Sequence, residues 1–327
     1  SSGLSLDNSS GGDLTLSTNN AIGLSADFTF TGSNGSALNL GTGAVALAGT
    51  RGITTTAGTL TLGGVISGNG MLHKYGAGTL ALSGTNTFQM AALGDASSVV
   101  VGAGTLLINA DAALGTAPAS AKVSTLLLAG GALQASANTT VNSFRGIELL
   151  SGTTGGLAAS ASTTLTYAGV VNGLGALAVN AATDATGTVI LSSADIFMGG
   201  TTVSRGTLQL GNAGALGIGT LALNGGTVNG STALTALTLG GLSGTATGSL
   251  LSLSNTNATP AAIALSVGSN NASTSYLGVI SGLGSVTKIG TGTLTLAGAN
   301  TYTGATAINR GGVTLDFSAA TPTTNIL

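Results

Sequence analysis

The sequence GVISGLGSVTKIGTGTLTLAGANTYTG, residues 278–304, alternates short runs of apolar residues and threonine with glycine. Runs of β-branched and leucine residues between glycines are typical of short strands joined by tight turns. The stretch therefore predicts three strands, around Val279–Ile280, Val286–Ile289 and Thr293–Leu296.

The same pattern occurs twice more. A near copy, GVISGNGMLHKYGAGTLALSGTNTF, covers residues 64–88, and a weaker copy begins with GVVNGLGAL at 169–177 and resumes with GTVILS at 187–192. The copies begin at Gly64, Gly169 and Gly278, so successive copies start 105 and 109 residues apart. Internal periodicity of this kind predicts a solenoid, in which each unit buries its apolar face against its neighbours.

The strand pattern predicts an all-β fold. Segments such as Leu60-Thr61-Leu62 and Leu294-Thr295-Leu296 have the period of two that marks a half-buried strand. The turns are single glycines or Gly-x-Gly, and the strands are too short for the matched hairpins of a sandwich. We therefore predict a parallel β-helix (β-solenoid) with coils of roughly 20 residues. Residues 1–327 would form a single continuous β-solenoid built from about three long internal repeats.

The shared pattern, GVISGxGx(V/L)xKxGxGTLxLxGxNT(Y/F), resembles the autotransporter-associated β-strand repeat of bacterial autotransporter passengers. The resemblance is strongest over residues 64–88 and 278–317 and is degenerate over 169–211. It implies a right-handed parallel β-helix that is extracellular, at the bacterial cell surface. It implies no catalytic residues, because this repeat is associated with stacking of the passenger.

The composition excludes several classes of protein. With 7 Lys plus Arg among 327 residues and a net charge of −2, the chain lacks the basic stripe that nucleic-acid binding requires. The absence of Cys excludes a disulfide framework and Cys-based metal sites. No apolar run approaches the roughly 18 residues of a membrane-spanning helix, so we expect no membrane-spanning segment in this chain.

The residues with chemical potential are few and scattered. His73 is the only histidine, so no histidine cluster is available, and we expect it to point outward from a strand. The acidic residues form no pairs along the sequence. A polysaccharide-cleaving β-helix enzyme is the least favoured hypothesis, and the residues that it would draw on are Asp95, Asp111 and Arg205. We predict that the protein is not an enzyme, with no catalytic, cofactor-binding or metal-binding residues and no cofactor.

Two further sets of residues recur in the repeats. A polar residue is followed two positions later by an aromatic one at Asn86, Asp195 and Asn300, with Phe88, Phe197 and Tyr302. This pattern indicates either a ligand-binding ladder or, as we favour, a side chain that caps a turn beneath a ring covering the corner. The basic residues at repeat positions are expected to be solvated: Lys74, Lys288, Arg205 and Arg310.

The ends of the sequence carry strand patterns and no evident cap. Leu4-Ser5-Leu6 and Val313-Thr314-Leu315 look like strands, and only Asp7, Asp13 and Pro322 resemble residues that protect an edge. We therefore predict a structural protein that self-associates through its solenoid ends into an extracellular fibre. The alternative is an autotransporter passenger stalk or adhesin that contacts other cells, surfaces or glycans.

Overall fold

A computed structural model describes residues 3–89 and 98–318. It divides into two compact units, Ser1–Gly169 (unit 1) and Val170–Leu327 (unit 2). Each unit is a parallel β-solenoid, and together they contain about 13 turns. Helical structure in the described residues is limited to 3₁₀ turns at Ser33–Gly35 and Asp111–Leu114. The single continuous solenoid over residues 1–327 stays a prediction.

The strands of unit 1 are short and follow one another at glycine-rich corners. They are β1 Leu4–Leu6, β2 Leu14–Thr15, β3 Ile22–Leu24, β4 Phe28–Phe30, β5 Leu38–Asn39, β6 Val45–Ala48, β7 Arg51–Thr55, β8 Thr59–Leu62, β9 Ile66–Asn69, β10 Leu72–Tyr75, β11 Thr79–Leu82, β12 Val99–Val101, β13 Thr105–Ile108, β14 Leu126–Leu128, β15 Ala132–Ala135, β16 Thr139–Val141, β17 Ile147–Leu149, β18 Thr154–Ala159 and β19 Thr164–Tyr167.

The strands of unit 2 have the same character. They are β20 Val171–Gly173, β21 Ala176–Val179, β22 Thr188–Leu191, β23 Thr201–Val203, β24 Thr207–Leu210, β25 Thr220–Leu223, β26 Thr227–Gly230, β27 Ala236–Leu239, β28 Gly241–Ser243, β29 Leu250–Asn255, β30 Ala264–Val267, β31 Thr274–Tyr276, β32 Val279–Ser281, β33 Val286–Lys288, β34 Thr293–Leu296, β35 Thr306–Ile308 and β36 Gly312–Leu315. The three strands predicted within residues 278–304 are confirmed as β32, β33 and β34.

Most strands pair in parallel with a strand one turn later. In unit 1, β8 pairs with β11 and β11 with β13; in unit 2, β22 pairs with β24 and β24 with β26. The number of residues per turn is not constant at the predicted value of roughly 20. It is 19 where Thr188 faces Thr207 and 29 where Leu250 faces Val279. The longer turn contains an additional loop, whose two ends are joined by an antiparallel bridge between Ser254 and Ala262.

The core is a set of aliphatic ladders running from turn to turn. In unit 1 one ladder joins buried residues on five successive turns, Leu60, Leu80, Leu106, Leu133 and Leu157. Because strand side chains alternate, the threonines between the buried residues face outward. Each fully buried leucine contributes about 1.5–3 kcal/mol to folding, so the ladders drive formation of the solenoid.

Glycine is required where a corner of one turn rests on the backbone of the turn before it. Gly290 has φ of +67°, and a Cβ at this position would lie 1.9 Å from the carbonyl oxygen of Gly268. Both facts exclude a side chain here. Gly248, in the same unit, is exposed, and a Cβ on it would meet nothing within 4 Å.

We predict that Gly290→Ala lowers the free energy of unfolding by at least about 2 kcal/mol, because it adds left-handed strain to a backbone clash. Gly248→Ala is the matched control and should change stability by less than about 0.5 kcal/mol or raise it slightly. Urea denaturation followed by circular dichroism measures both. Equal stability of the two variants would contradict the close contact between turns.

Candidate functional site

Two of the residues considered for enzymatic chemistry, Asp111 and Arg205, make hydrogen bonds within their own units. Within residues 3–89 and 98–318, no group of three or more His, Cys, Asp or Glu side chains is placed to hold a metal ion. Asp95 lies outside the described residues. Asp111 accepts a hydrogen bond of 2.8 Å from Nε of Arg145, and Arg205 donates to the carbonyl of Ala181 at 3.0 Å. His73 is half-exposed on β10, as predicted, with Nδ1 3.0 Å from the Tyr75 hydroxyl.

Most of the described acidic side chains bridge one turn to another. The carboxylate of Asp7 accepts from Ser33 N at 2.9 Å, and that of Asp27 accepts from Gly52 N at 2.8 Å. The same role falls to Asp13 with Ala37 N, Asp111 with Asn142 N and Asp195 with Val171 N. Hydrogen bonds from the hydroxyl and the backbone amide of Ser33 hold the pKa of Asp7 down to about 2. These acidic residues are scattered along the sequence because they join different pairs of turns.

A buried arginine, which the sequence analysis did not identify, fixes one corner of unit 1. The guanidinium of Arg145 is 1% exposed, and besides its pairing with Asp111 it donates to the carbonyl of Gly115 at 2.6 Å. The Tyr167 hydroxyl donates to the carbonyl of Arg145 at 2.5 Å. Arg145 precedes β17, and its amide donates to the carbonyl of Asn142 in a turn. Strand alternation therefore gave no signal for its burial.

The prediction that Lys74 and Lys288 are solvated is wrong. Their side chains are 0% and 1% exposed. Lys74 Nζ donates to the carbonyls of Tyr75, Gly76 and Ala103 at 2.9, 2.7 and 3.1 Å. Lys288 Nζ donates to the carbonyls of Ile289, Gly290 and Arg310. All three ammonium protons are used in each case, and burial lowers the pKa of Lys74 to about 8.

In the degenerate repeat Val179 stands at the lysine position, and the next residue, Asn180, supplies the buried donor. Asn180 Nδ2 donates to the carbonyls of Gly187 and Arg205, at 2.9 and 3.4 Å. Arg205 precedes Gly206 as Ala103 precedes Gly104 and Arg310 precedes Gly311. In all three repeats, therefore, a buried side-chain donor satisfies the carbonyl that precedes a glycine corner. As predicted, Arg205 and Arg310 keep their own side chains at the surface.

The polar–aromatic pairs form a second buried arrangement. Oδ1 of Asn86, Asp195 and Asn300 accepts from the amides of Ile66, Val171 and Ile280, at 2.7, 2.8 and 2.8 Å. The partner amide is 20 or 24 residues earlier, so the side chain joins two turns and does not cap its own. The rings of Phe88 and Phe197 are fully buried, and Tyr302 is 8% exposed, so they belong to the core and do not cover a corner.

The turn containing Asp195 has an unusual outer surface. Ile196, Met198 and Ile218, together with Leu174, are each 60% or more exposed. The first three of these line a shallow groove of about 330 Å³ with Asp195, Phe197, Gly214 and Gly217. We call these four exposed residues, Leu174, Ile196, Met198 and Ile218, the apolar patch of unit 2.

We predict that Lys74→Met and Lys288→Met each lower the free energy of unfolding by about 2–4 kcal/mol, since each leaves buried carbonyls without a donor. Arg310→Met removes an exposed cation of the same repeat and is the control, with an expected change under about 0.5 kcal/mol. Urea denaturation of the three variants checks the prediction. Lysine variants as stable as the control would show that the buried hydrogen bonds contribute nothing.

The repeats match a known family of sequences. The passenger-associated-transport-repeat model matches residues 72–89, 186–210 and 286–315. These segments contain the buried lysines, the Asp195 turn and the strands β10, β24 and β34. The matches fall in both units, at the positions where buried polar side chains join successive turns.

The chain is also similar to a curated relative, the "Adhesin BmaC autotransporter" of Brucella suis biovar 1 (strain 1330). The two are 33% identical over 198 residues, which is 58% of this chain and 5% of that protein. The chain thus corresponds to a small part of its relative's length. No solved structure matches the chain. Among the described residues, no helix has the length and apolar character needed to span a membrane. The chain thus contains passenger-associated-transport repeats and is similar to part of an autotransporter.

Proposed function

We propose that this chain is part of a non-catalytic adhesin passenger that is displayed outside the bacterial cell and contacts other cells or surfaces. The observation that carries the proposal is the 33% identity to an autotransporter named as an adhesin, combined with the shared repeat. The use of five acidic residues in bonds between turns supports a scaffold role. A scaffold of this kind displays its outward side chains on a regular backbone.

The apolar patch of unit 2 is the surface that we assign to contact. Ile196 N donates to Val171 O at 2.9 Å, as Thr301 N donates to Ile280 O at 2.8 Å, so the two turns are equivalent. Thr303 is likewise the counterpart of Met198: their amides bond to Gly282 and Gly173 at 2.9 and 3.0 Å. The equivalent turn has threonine at both positions, Thr301 and Thr303. Folding therefore does not require the exposed Ile196 and Met198. Contiguous exposed apolar residues often mark interaction sites.

We predict that beads coated with the purified chain attach to cultured animal cells several-fold more than albumin-coated beads do. The double variant Ile196→Thr and Met198→Thr has the same outward residues as the turn of Thr301 and Thr303. It should lower attachment at least threefold without loss of stability. Thr301→Ser with Thr303→Ser is the matched control and should attach like the parent chain. Counting attached beads by microscopy gives the result.

Two outcomes of this assay would contradict the proposal in different ways. Attachment of parent-coated beads no greater than that of albumin-coated beads would refute the adhesin function. Equal attachment of the parent chain and the Ile196→Thr, Met198→Thr variant would refute the assignment of the surface. Release of reducing ends from a panel of polysaccharides by the purified chain would refute the non-catalytic role.

A second function, self-association into a fibre, is favoured by the first described turn of unit 1. Its apolar residues Leu4 and Leu14 are 62% and 44% exposed. A groove of about 250 Å³ between β1, β3 and β4 opens onto buried Leu62. An exposed apolar edge of parallel strands is a template for another strand of the same pattern. In a solution of the purified chain, the added strand would come from a second copy.

We predict that the sedimentation coefficient of the purified chain rises with concentration, and that Leu4→Ser with Leu14→Ser abolishes this rise. Leu174→Ser, which removes an exposed leucine of the apolar patch, serves as the control and should sediment like the parent chain. Sedimentation velocity over a hundredfold range of concentration tests this. A concentration-independent monomer of the parent chain would exclude assembly through this edge.

A further inference from the structure

Asp195 occupies a position that asparagine occupies in the other two repeats. Backbone hydrogen bonds align the turns: Asn86 N donates to Ala112 O at 2.9 Å, and Asp195 N donates to Gly214 O at 3.0 Å. The next carbonyl is that of Ala113 in the first case and of Ala215 in the second. Asn86 Nδ2 donates to Ala113 O at 2.7 Å. An aspartate at this position therefore replaces a buried donor by an oxygen.

The carboxyl of Asp195 is held on one side only. Oδ1 accepts from Val171 N, whereas Oδ2 is buried and makes no hydrogen bond. The residue as a whole is 6% exposed. An ionised carboxylate has no proton to donate, but a protonated one has a single O–H that can act as the Asn86 amide does.

The surroundings offer no charge to balance an ionised Asp195. Within unit 2, its turn (192–199) bonds to the segment 170–174 before it and to the segment 212–218 after it. Apart from Asp195, these three segments contain no Asp, Glu, His, Lys, Arg or Tyr. No side chain from the packed segments can therefore neutralise the carboxylate, and its protonation state depends on the solvent pH.

We propose that Asp195 is a proton-operated latch, which holds the 194–199 turn against the neighbouring turns when protonated and releases it when ionised. Release of this turn frees the buried Phe197 ring and displaces Ile196 and Met198 of the apolar patch. The latch would operate whether or not the apolar patch serves adhesion, although its release moves two residues of that patch. Protonation involves only transfer of a proton from solvent to Oδ2.

The direction of the pH dependence follows from burial. Burial raises the pKa of Asp195 from its ordinary value of 3.8 to about 7, opposed in part by the hydrogen bond from Val171. Between about pH 4 and 7 the closed turn therefore binds one more proton than the open turn. Opening becomes more favourable as pH rises through this window, and it levels off above about pH 7.

Hydrogen exchange of the Val171 and Ile196 amides tests the latch, because both amides bond across it. After correction for intrinsic exchange rates, we expect their protection factors to fall about tenfold per pH unit between pH 5 and 7. Asp195→Asn should show high protection that varies less than twofold over this range. Asn300→Asp is the reciprocal variant and should confer the same pH dependence on the Ile280 amide.

The measurements on the parent chain decide the proposal even if a variant fails to fold. Protection at Val171 that stays within twofold from pH 5 to 7 would overturn the latch. Retention of the full pH dependence in Asp195→Asn would overturn it as well, since another group would then be responsible.

Discussion

The fold depends on the hydrogen bonds between successive turns, because in a solenoid every backbone group must find its partner one turn away. Strands meet this requirement through their parallel ladders. Corners do not, since the chain changes direction there and the ladder is interrupted. An unpaired buried backbone group costs about as much as a lost hydrogen bond. Side chains that reach from one turn to another fill these gaps: Asp7 accepts from Ser33 N, and Lys74 donates to Ala103 O.

This requirement explains how a chain with few charged residues buries several of them. A buried lysine is normally unfavourable because its charge leaves water. Lys74 is tolerated because three carbonyls surround its ammonium group, and those carbonyls would otherwise be unsatisfied. Asn180, one residue after the position equivalent to Lys74, donates to the corresponding carbonyl of Arg205, so the requirement is for a donor and not for a positive charge. The Asn86 and Asn300 side chains meet the opposite need, for an acceptor.

Much of the fold was predictable from the sequence, and the errors in the prediction have physical causes. Glycine spacing predicted the strands β32, β33 and β34 and the parallel solenoid. The burial of Lys74 was missed because charge was weighed above alternation: Leu72 faces inward and His73 outward, so Lys74 must face inward. Turn length was not predictable, because excursions such as that between Ser254 and Ala262 leave the strand pattern unchanged. The lack of a partner for Oδ2 of Asp195 is visible only in the three-dimensional structure.

The 195–198 segment shows how one short stretch serves folding and surface chemistry together. Asp195 and Phe197 face inward while Ile196 and Met198 face outward, since alternate residues of extended chain point to opposite sides. In the equivalent turn, residues 300–303, the inward residues are Asn300 and Tyr302, and both outward residues are threonine. The outward positions therefore vary freely, whereas the inward ones are limited to a buried acceptor and a ring. Any movement of Asp195 must carry the outward residues with it, because they belong to the same four-residue segment.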